Sequence, residues 1–358
     1  MRRIWFDILT PKHFWFFTSL AEAMRVKGYE ILVTARRYEQ LTPLLEAYGR
    51  RDIHIVGEYG GGTLAGKLRR SIERSLELMA IVEDLAPDCC VSSGSPEASR
   101  IAYGLGMPHI LISDTPHSPV NPLTAPISRL VMSPWVIGRD VWRRYGVPDD
   151  RIVLYRGLDP LAWLEGFQPN RSCLRDFSLR EDGYILVRPP EYKAAYLAGK
   201  VDMDVFTSFC SRLVDIKNDY EIVLLPRYLD EVEYLRTRLG GLVKIIERPV
   251  YGPSILYYSS LLVGGGGTMT QEAALLGVPN LSVYPLEPPP SIKYLADEGL
   301  VRLAPDLDDA LAYIGSILPD LKGMRERLER RAEKVRSGMV DPKLEITVAL
   351  ERVVSSGV

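Results

Sequence analysis

The sequence predicts an α/β protein with two Rossmann-like, doubly wound parallel-sheet domains that face each other across a cleft. Apolar segments of strand length alternate with amphipathic segments along the 358 residues, a length that is sufficient for two separate cores. The apolar segments are nearly continuous, as in parallel strands that helices cover on both faces. The alternation weakens between residues 158 and 182 and then restarts, which predicts an inter-domain linker.

The first domain, residues 1–165, is expected to contain seven strands. They are Ile4–Ile8, Glu30–Thr34, Ile53–Val56, Asp88–Val91, His109–Ile112, Arg129–Met132 and Arg151–Leu154. Helices are expected between the strands, among them Phe16–Lys27 and Lys67–Leu85. In the second of these helices, five apolar residues recur at helical spacing: Leu68, Ile72, Leu76, Met79 and Val82.

The second domain, residues 166–340, repeats the same alternation with six expected strands. They are Tyr184–Val187, Glu221–Leu225, Leu242–Glu247, Ser260–Val263, Asn280–Val283 and Leu300–Leu303. A last helix within residues 341–358 could pack back on the first domain. Since ligands bind beyond the carboxyl ends of parallel strands, the sites of both domains are expected at the cleft.

Composition excludes several classes of partner. The formal net charge is -2, so the electrostatics favour neither nucleic acid nor an anionic membrane surface as a partner. The four cysteines show no C-x-x-C spacing, which favours free thiols in a reducing cytosol over zinc ligands. No run of 18 apolar residues is present to span a bilayer. We therefore expect a cytoplasmic protein without a transmembrane segment, and a peripheral membrane contact stays open.

A run of four glycines, Gly264–Gly267, lies between an apolar strand and a helix that begins near Thr268. Free backbone N–H groups at a helix N-terminus, with the positive end of the helix dipole, form an anion site. Without Cβ atoms, Gly265, Gly266 and Gly267 let a phosphate approach the main chain. Thr268 and Gln271 also fit a capping box. Glu272, one turn into the helix, could complement the dipole or bind a ribose diol.

This segment resembles a known nucleotide-binding signature. The pattern G-G-G-T-x-x-x-E-A-x-x-x-G-x-P, here Gly265 to Pro279, is similar to that of the second domain in GT-B-type glycosyltransferases and the related sugar 2-epimerases. The resemblance implies that the glycine loop holds the diphosphate of a nucleotide-sugar, and that Glu272 holds the ribose. The nucleotide-sugar is then a substrate, and no cofactor is expected.

The first domain supports the resemblance. The segment Lys12–Arg36 is similar to the opening strand, loop and helix of the same fold, with His13 in register, but Lys12 stands where the fold has glycine. Still closer is a chiefly archaeal family known as a domain of unknown function and grouped with GT-B proteins. Its motifs D-I-x-x-P-x-H, D-x-x-H and G-G-G-T-M match Asp7–His13, Asp114–His117 and Gly265–Met269.

Three titratable residues follow strands at the expected cleft edge of the first domain: His13, Asp114 and His117. An imidazole can take the proton of an acceptor hydroxyl, and a carboxylate can orient the imidazole or act as the base itself. The sequence does not decide which histidine is the base. His54 and His109 lie in expected strands and are interpreted as core or edge residues.

Donor-side candidates occur at strand ends of the second domain. Arg188 follows the first strand and could pair with the donor diphosphate, and Lys193 is a weaker candidate for the same task. The segment Arg248–Tyr251 could contact the base. No Asp-x-Asp pair, as in metal-dependent sugar transferases, is recognised near the cleft. Fixed positive groups and the helix dipole would then replace a divalent ion, and no metal site is expected.

Three functions remain open. The leading hypothesis is a metal-independent glycosyltransferase that uses a nucleotide-diphosphate sugar, with a UDP-sugar favoured. The alternative is a nucleotide-sugar 2-epimerase, for which Asp114 and Glu97 could serve as acids, although the arginine-containing opening motif of those enzymes is missing. The third is a non-catalytic nucleotide-sugar-binding protein. The acceptor is unknown; Trp15 and Phe16, left over from the apolar face of their helix, make a lipid-linked acceptor one candidate.

Overall fold

The computed structural model describes residues 2–39, 41–190, 202–248, 250, 252–284 and 286–356. The chain forms two compact units, which are called unit 1 and unit 2 below. Unit 1 comprises Met1–Glu165 together with Val340–Val358, and unit 2 comprises Gly166–Met339. Each unit contains one parallel β-sheet and flanking helices, so the predicted pair of α/β domains is confirmed.

Unit 1 is built on a seven-stranded sheet in the order β3-β2-β1-β4-β5-β6-β7, with every neighbouring pair parallel. The order reverses between β1 and β4, where a doubly wound sheet opens its ligand crevice. The strands are β1 (Arg3–Ile8), β2 (Glu30–Arg37), β3 (His54–Glu58), β4 (Cys89–Ser92), β5 (His109–Ile112), β6 (Leu130–Pro134) and β7 (Ile152–Tyr155).

In the described part of unit 1, seven helices lie between or after these strands, and an eighth follows unit 2 in the chain. They are α1 (Pro11–Val26), α2 (Thr42–Ala47), α3 (Leu64–Leu85), α4 (Pro96–Gly104), α5 (Asn121–Thr124), α6 (Arg139–Arg144), α7 (Leu161–Leu164) and α16 (Pro342–Ser356). Among the residues that the structure describes, no helix combines the length and the apolar character needed to cross a bilayer.

Unit 2 contains a six-stranded parallel sheet in the order β10-β9-β8-β11-β12-β13. The strands are β8 (Tyr184–Val187), β9 (Glu221–Leu224), β10 (Lys244–Ile245), β11 (Leu261–Gly264), β12 (Asn280–Val283) and β13 (Arg302–Ala304). The helices are α8 (Ser172–Asp176), α9 (Met203–Ile216), α10 (Leu229–Leu239), α11 (Gly252–Tyr257), α12 (Thr268–Leu275), α13 (Pro290–Asp297), α14 (Leu307–Ile317) and α15 (Leu321–Ser337).

Two expected strand segments are shorter in the structure. Of the segment Leu242–Glu247, only Lys244–Ile245 pairs as β10, because this strand lies at the sheet edge and has one neighbour. Of the segment Leu300–Leu303, only the last two residues belong to β13. Helix α3 instead begins three residues earlier than expected, because Thr63 caps it: its Oγ1 accepts a hydrogen bond from the amide of Gly66 at 3.1 Å.

Of the expected apolar face of helix α3, only Met79 and Val82 at its end pack on the core of unit 1. The residues that it buries are Arg74, Leu78 and Val82, while Leu68, Ile72 and Leu76 are exposed. Arg74 sets this orientation, since its guanidinium makes two bonds to the carboxylate of Asp7, at 2.5 and 3.0 Å, inside the unit. Both side chains are fully buried, so burying them without each other would cost several kcal/mol.

The same guanidinium connects two further elements of unit 1. Its Nη1 lies 3.4 Å from Glu97 in α4, and its Nε donates to the carbonyl of Val56 in β3 at 2.9 Å. Gly57 has a φ of 72°, and a Cβ there would lie 2.5 Å from the Arg74 side chain. The arginine therefore ties α3, α4, β1 and β3 together, and a glycine is needed beside it.

Trp15 and Phe16 of α1, which the sequence offered as lipid or membrane contacts, both pack against other aromatic residues of unit 1. Phe16 is 2% exposed and packs near Trp163, with ring centroids 6.3 Å apart. Trp15 is partly buried and lies edge-on to Tyr48, at 5.0 Å between ring centroids. Phe16 is thus a core residue, because α1 is covered on this side by α7.

Helix α16 returns the chain to unit 1. Ile346, Leu350 and Val354 recur every four residues and are all buried. At its start, the amide of Arg156 donates to Glu345 Oε1 at 2.9 Å, and Lys343 donates to the carbonyl of Ala162 at 2.5 Å. The helix therefore completes the hydrophobic core of unit 1.

Replacing Arg74 by methionine is expected to lower the free energy of unfolding by about 3–5 kcal/mol, because Asp7 and Glu97 are left as buried, uncompensated acids. The matched control is Arg70→Met on the same helix. Its partner is Glu73, and both side chains are about half exposed, so the loss should stay below about 1 kcal/mol. Urea denaturation measures both. Equal losses in the two variants would contradict the role given to Arg74.

Candidate functional site

The glycine loop of unit 2 connects β11 to α12 and has a conformation that side chains would disturb. Gly266 has a φ of 73°, and a Cβ at this position would lie 3.0 Å from Ser282 Oγ. A Cβ on Gly267 would meet nothing within 4 Å, so the loop is open at the start of the helix. Gly266 is thus required by the backbone, and Gly267 leaves space in front of the helix.

Helix α12 begins without the capping box expected from Thr268 and Gln271. Its N-cap is Gly267, which has no side chain to accept a hydrogen bond, and Thr268 is the first helical residue. A capping box requires the threonine to stand one position earlier, before the helix. The first amides of a helix have no partner within it, so this helix offers donors and the positive dipole end to a ligand.

A cavity of about 740 Å³ lies at the carboxyl edge of the unit 2 sheet. Arg188 lines it together with Gly264, Gly265 and Tyr284. The Nη1 of Arg188 donates to the carbonyls of Leu225 and Pro226, at 2.6 and 2.9 Å, which fixes the guanidinium at the cavity wall. The structure therefore brings Arg188 and the first glycines of the loop to one cavity, whose size suits a small-molecule ligand.

Four aspartates also line this cavity, and the expectation that no Asp-x-Asp pair lies near the site is wrong. The two pairs are Asp202 with Asp204 and Asp306 with Asp308. The first member of each pair caps a helix by accepting backbone amides of its first turn. The second member forms an ion pair, at 2.8 Å with Arg238 and at 2.6 Å with Arg212. All four carboxylates are thus engaged within unit 2.

Glu272 does not line the cavity but lies on the neighbouring side of α12. Its side chain is 3% exposed, and its Oε2 lies 3.8 Å from the position that a Cβ on Gly252 would occupy. Gly252 is the first residue of α11 and follows the segment suggested to contact the base. Of that segment, Pro249 and Tyr251 lie outside the described residues, as does Lys193. The carboxylate therefore lies near the first residue of α11.

In unit 1, Lys12 is the centre of the charged cluster at the carboxyl edge. Its Nζ lies 2.5 Å from Asp114 Oδ1 and 2.8 Å from Asp159 Oδ2. Tyr155 donates its hydroxyl to the other oxygen of Asp159, at 2.5 Å. Burial alone would lower the pKa of Lys12, but the two carboxylates raise it above its ordinary value. Lys12 is therefore a fixed cation that holds both acids.

His13 is the third residue of α1, next to Lys12. Its Nδ1 is buried and has no hydrogen-bond partner among the described residues, so a ligand contact would have to use Nε2. Burial, and then the charge of Lys12, lower the pKa of His13 to about 3. The imidazole is therefore neutral at physiological pH and binds a proton weakly.

His117 lies in the loop between β5 and α5 and is exposed. The loop is held by Tyr145, which donates to the carbonyl of Pro116 at 2.7 Å, and by Asn121, which donates to the same carbonyl at 3.1 Å. Partial burial lowers the pKa of His117, and the nearby charge of Asp114 raises it. His109 is instead a core residue, bonded to Ser92 and Ser128.

The sequence indicated Asp114 but not its partner Lys12, nor Asp159 and Tyr155, which complete the cluster. In the sequence, Lys12 is only a departure from a glycine pattern. Tyr155 ends β7 and Asp159 follows it, so both occupy the carboxyl edge where ligand sites of parallel sheets occur. Their position at or just after the end of a strand could have identified them as candidate site residues. In the described ranges, histidine, cysteine, aspartate and glutamate side chains nowhere gather in threes in a geometry that could hold a metal ion.

Comparison with known proteins places this arrangement in a family and a fold. A family model described as "Protein of unknown function (DUF354)" matches residues 2–341. The uncharacterised protein MJ0665 of Methanocaldococcus jannaschii is 26% identical over 329 residues, which cover 90% of this chain and 94% of that protein. The expected similarity to a chiefly archaeal family of unknown function is confirmed.

Several solved structures share the fold of this chain. The S. aureus MnaA–UDP complex has a TM-score of 0.75 at 15% identity and covers 99% of this chain and 97% of its own. The UDP-GlcNAc 2-epimerase of Neisseria meningitidis bound to UDP-GlcNAc has a TM-score of 0.74 at 15% identity, with 98% and 100% covered. MurG of Acinetobacter baumannii has a TM-score of 0.56 at 11% identity, with 98% and 99% covered. The predicted GT-B-type fold is confirmed.

The imidazole of His13 is expected to stay neutral down to about pH 4, since its pKa of about 3 lies far below the ordinary value of about 6.5. Replacing Lys12 by methionine removes a positive charge that lowers the pKa of His13 and leaves the negative charge of Asp114, which raises it. The pKa of His13 should therefore rise. Histidine-selective NMR titration of the native protein and of Lys12→Met measures the shift. A native midpoint near 6.5, or the same midpoint in both proteins, would contradict the proposed coupling.

Proposed function

The chain belongs to the DUF354 family, and we propose that it is a glycosyltransferase that takes its sugar from a nucleoside diphosphate, with UDP favoured. One observation carries the proposal: the uncapped N-terminus of α12, the open glycine loop before it and the guanidinium of Arg188 occur at one edge of the unit 2 sheet. A diphosphate fits this set of groups. The helix N-terminus and the arginine contribute positive charge, and the glycines leave the main chain open to a phosphate.

The donor would bind through its two phosphates. The amides of Gly267 and Thr268 would donate to one phosphate, and Gly266 would keep the loop in a conformation that no other residue adopts without strain. Arg188 would face the leaving phosphate and stabilise the charge that develops when the glycosidic bond breaks. Its bonds to Leu225 and Pro226 support this role, since an arginine held in place before the reaction needs no reorganisation during it.

Glu272 is assigned to the ribose. Its carboxylate is buried and faces the start of α11, where a nucleoside could extend from the glycine loop. A carboxylate accepts hydrogen bonds from two neighbouring hydroxyls, which a ribose offers and a deoxyribose does not. Recognition of the sugar ring would thus depend on a group at the same helix that binds the phosphates.

The acceptor is assigned to unit 1. Asp114 and Asp159 both pair with Lys12, and they could orient an acceptor hydroxyl by hydrogen bonding. Of the two histidines, His117 is exposed, whereas His13 is partly buried and weakly basic. An acceptor hydroxyl can reach an exposed imidazole, so we assign the proton transfer to His117 and a positioning role to His13.

A divalent ion is not part of the proposal. The aspartates that line the unit 2 cavity cap helices or pair with arginines, so their charges already have partners. The proposal therefore gives the neutralisation of the diphosphate to Arg188 and the dipole of α12. Treatment with a chelator is expected to leave nucleotide binding unchanged.

Epimerisation is the second candidate, because the structure of the Neisseria meningitidis UDP-GlcNAc 2-epimerase has a TM-score of 0.74 with this chain. The surroundings of the two acids that the sequence suggested for epimerisation argue against this function. Glu97 is 4% exposed and lies beside Arg74, and Asp114 is bonded to Lys12. Carboxylates held in ion pairs are poor carriers of a proton to and from a sugar carbon, so transfer is favoured.

Incubation with labelled UDP-sugars separates the three functions. Label moved to a component of a cell extract supports transfer, solvent deuterium at C2 of the sugar supports epimerisation, and binding without turnover supports a non-catalytic protein. In the first case, His117→Asn should abolish transfer and preserve UDP binding. If UDP and other nucleoside diphosphates fail to bind, the proposal for unit 2 is wrong.

Replacing Gly266 by alanine is expected to weaken UDP binding by about tenfold or more, because the residue must keep a φ of 73° beside Ser282. Gly315→Ala in α14 is the matched control, since a Cβ there meets nothing within 4 Å and alanine favours a helix. Calorimetric titration with UDP measures both affinities. Unchanged binding in Gly266→Ala would remove the glycine loop from the site.

Replacing Glu272 by alanine is expected to remove the preference for a ribose. The native protein should bind UDP roughly 10-fold to 100-fold more tightly than 2′-deoxy-UDP, as hydrogen bonds to a charged group contribute about 1.5–3 kcal/mol. In Glu272→Ala, the two nucleotides should bind with similar affinity. Competition binding with both ligands gives the ratio directly. A preference that survives the substitution would place the ribose elsewhere.

A further inference from the structure

Helix α3 carries an apolar ridge that the described part of unit 1 leaves uncovered. Four large aliphatic side chains recur at intervals of four residues and are between 57% and 80% exposed: Leu64, Leu68, Ile72 and Leu76. Residues four apart are neighbours on a helix surface, so these side chains form one ridge about 18 Å long. Contiguous apolar surface of this kind is rare on a monomer and marks an interaction site.

The ridge is a stable surface of a well-formed helix. Helix α3 is 22 residues long, is capped by Thr63, and is held to the sheet by the buried side chains of Arg74, Leu78 and Val82. Since the ion pair of Arg74 with Asp7 fixes this orientation, the helix cannot rotate to bury the ridge without exposing the arginine. The exposed side chains therefore belong to the folded protein.

Charge on α3 is divided between its two halves. The first half carries basic residues within one turn, Lys67, Arg69 and Arg70. The second half carries the exposed acidic residues Glu77, Glu83 and Asp84. In an antiparallel pair of such helices, the basic half of each lies against the acidic half of the other. The helix is thus complementary to itself.

We propose that a second copy of this chain covers the ridge, with the two α3 helices packed antiparallel about a two-fold axis. A two-fold interface uses the same surface on both subunits, which a self-complementary charge pattern satisfies. The ridge supplies the apolar centre of the interface, and the charged residues beside it set the direction of the partner helix. An anionic bilayer is a poorer occupant, because it would attract the basic half of α3 and repel the acidic half.

The mass of the full chain in solution tests the proposal. Light scattering after gel filtration should give a particle of twice the 40.2-kDa chain mass. The double variant Leu68→Glu/Ile72→Glu should be monomeric, with its dissociation constant raised at least about 100-fold, because four carboxylates would be buried at the interface. An unchanged circular dichroism spectrum and melting curve would show that the variant is folded.

A matched control separates the ridge from exposed leucines in general. Leu344 in α16 is 62% exposed, close to the 63% of Leu68, and it lies in the same unit. Leu344→Glu should remain dimeric, whereas Leu68→Glu alone should already weaken the dimer. If Leu344→Glu also dissociates, the interface is not confined to α3 and the proposal is wrong.

Cysteine cross-linking tests the direction of the helices. The four native cysteines are buried and do not compete. Mixing Leu64→Cys with Leu76→Cys should give a disulfide between the two variants, because the ends of antiparallel ridges meet. Cross-linking of Leu64→Cys with itself would indicate parallel helices and overturn the charge argument. A native chain that stays monomeric, or that binds anionic vesicles through Leu68 and Ile72, would overturn the dimer itself.

Discussion

Parallel pairing of every strand is the constraint on which the rest of this molecule depends. It brings the carboxyl ends of seven strands in unit 1 and six in unit 2 to a single edge of each sheet. Residues far apart in sequence become neighbours there, as Lys12, Asp114 and Asp159 do. Each sheet thus gathers its polar chemistry at one edge and leaves apolar residues for both faces.

The sequence was sufficient for the architecture because that constraint leaves a strong local signal. Strands buried on both faces are nearly continuous apolar segments, and they alternate with helices that connect parallel neighbours. Orientation of the helices was harder to predict. The spacing of Leu68, Ile72 and Leu76 is that of a packed helix face, yet Arg74 occupies the packed face. The reason is a tertiary ion pair with Asp7, 67 residues away, which no local pattern contains.

The candidate site shows the same difference: its local patterns could be predicted from the sequence, and its long-range contacts could not. The glycine loop and the helix after it could be located, because a run of glycines between an apolar strand and a helix is visible in the sequence; their binding of an anion stays a prediction. The capping box failed by one position, since helix ends are the least determined by sequence. The sequence placed Asp114 at the carboxyl edge of the unit 1 sheet but did not indicate its ion-pair partner. That partner is Lys12, which in the sequence is only a departure from the glycine of the family pattern. Asp-x-Asp pairs were overlooked because their first members look like, and are, helix caps.

The return of the chain to unit 1 has a consequence for biogenesis. Residue 165 leaves unit 1 and residue 340 re-enters it, where the amide of Val340 bonds to the carbonyl of Arg156 at 2.7 Å. During synthesis, the 174 residues of unit 2 are therefore added before the last buried residues of unit 1. The hydrophobic core of unit 1 is complete only when Ile346, Leu350 and Val354 are present. The inserted unit is one uninterrupted stretch and can fold during that delay. A released chain truncated before residue 340 should consequently hold a complete second unit beside an incomplete first one.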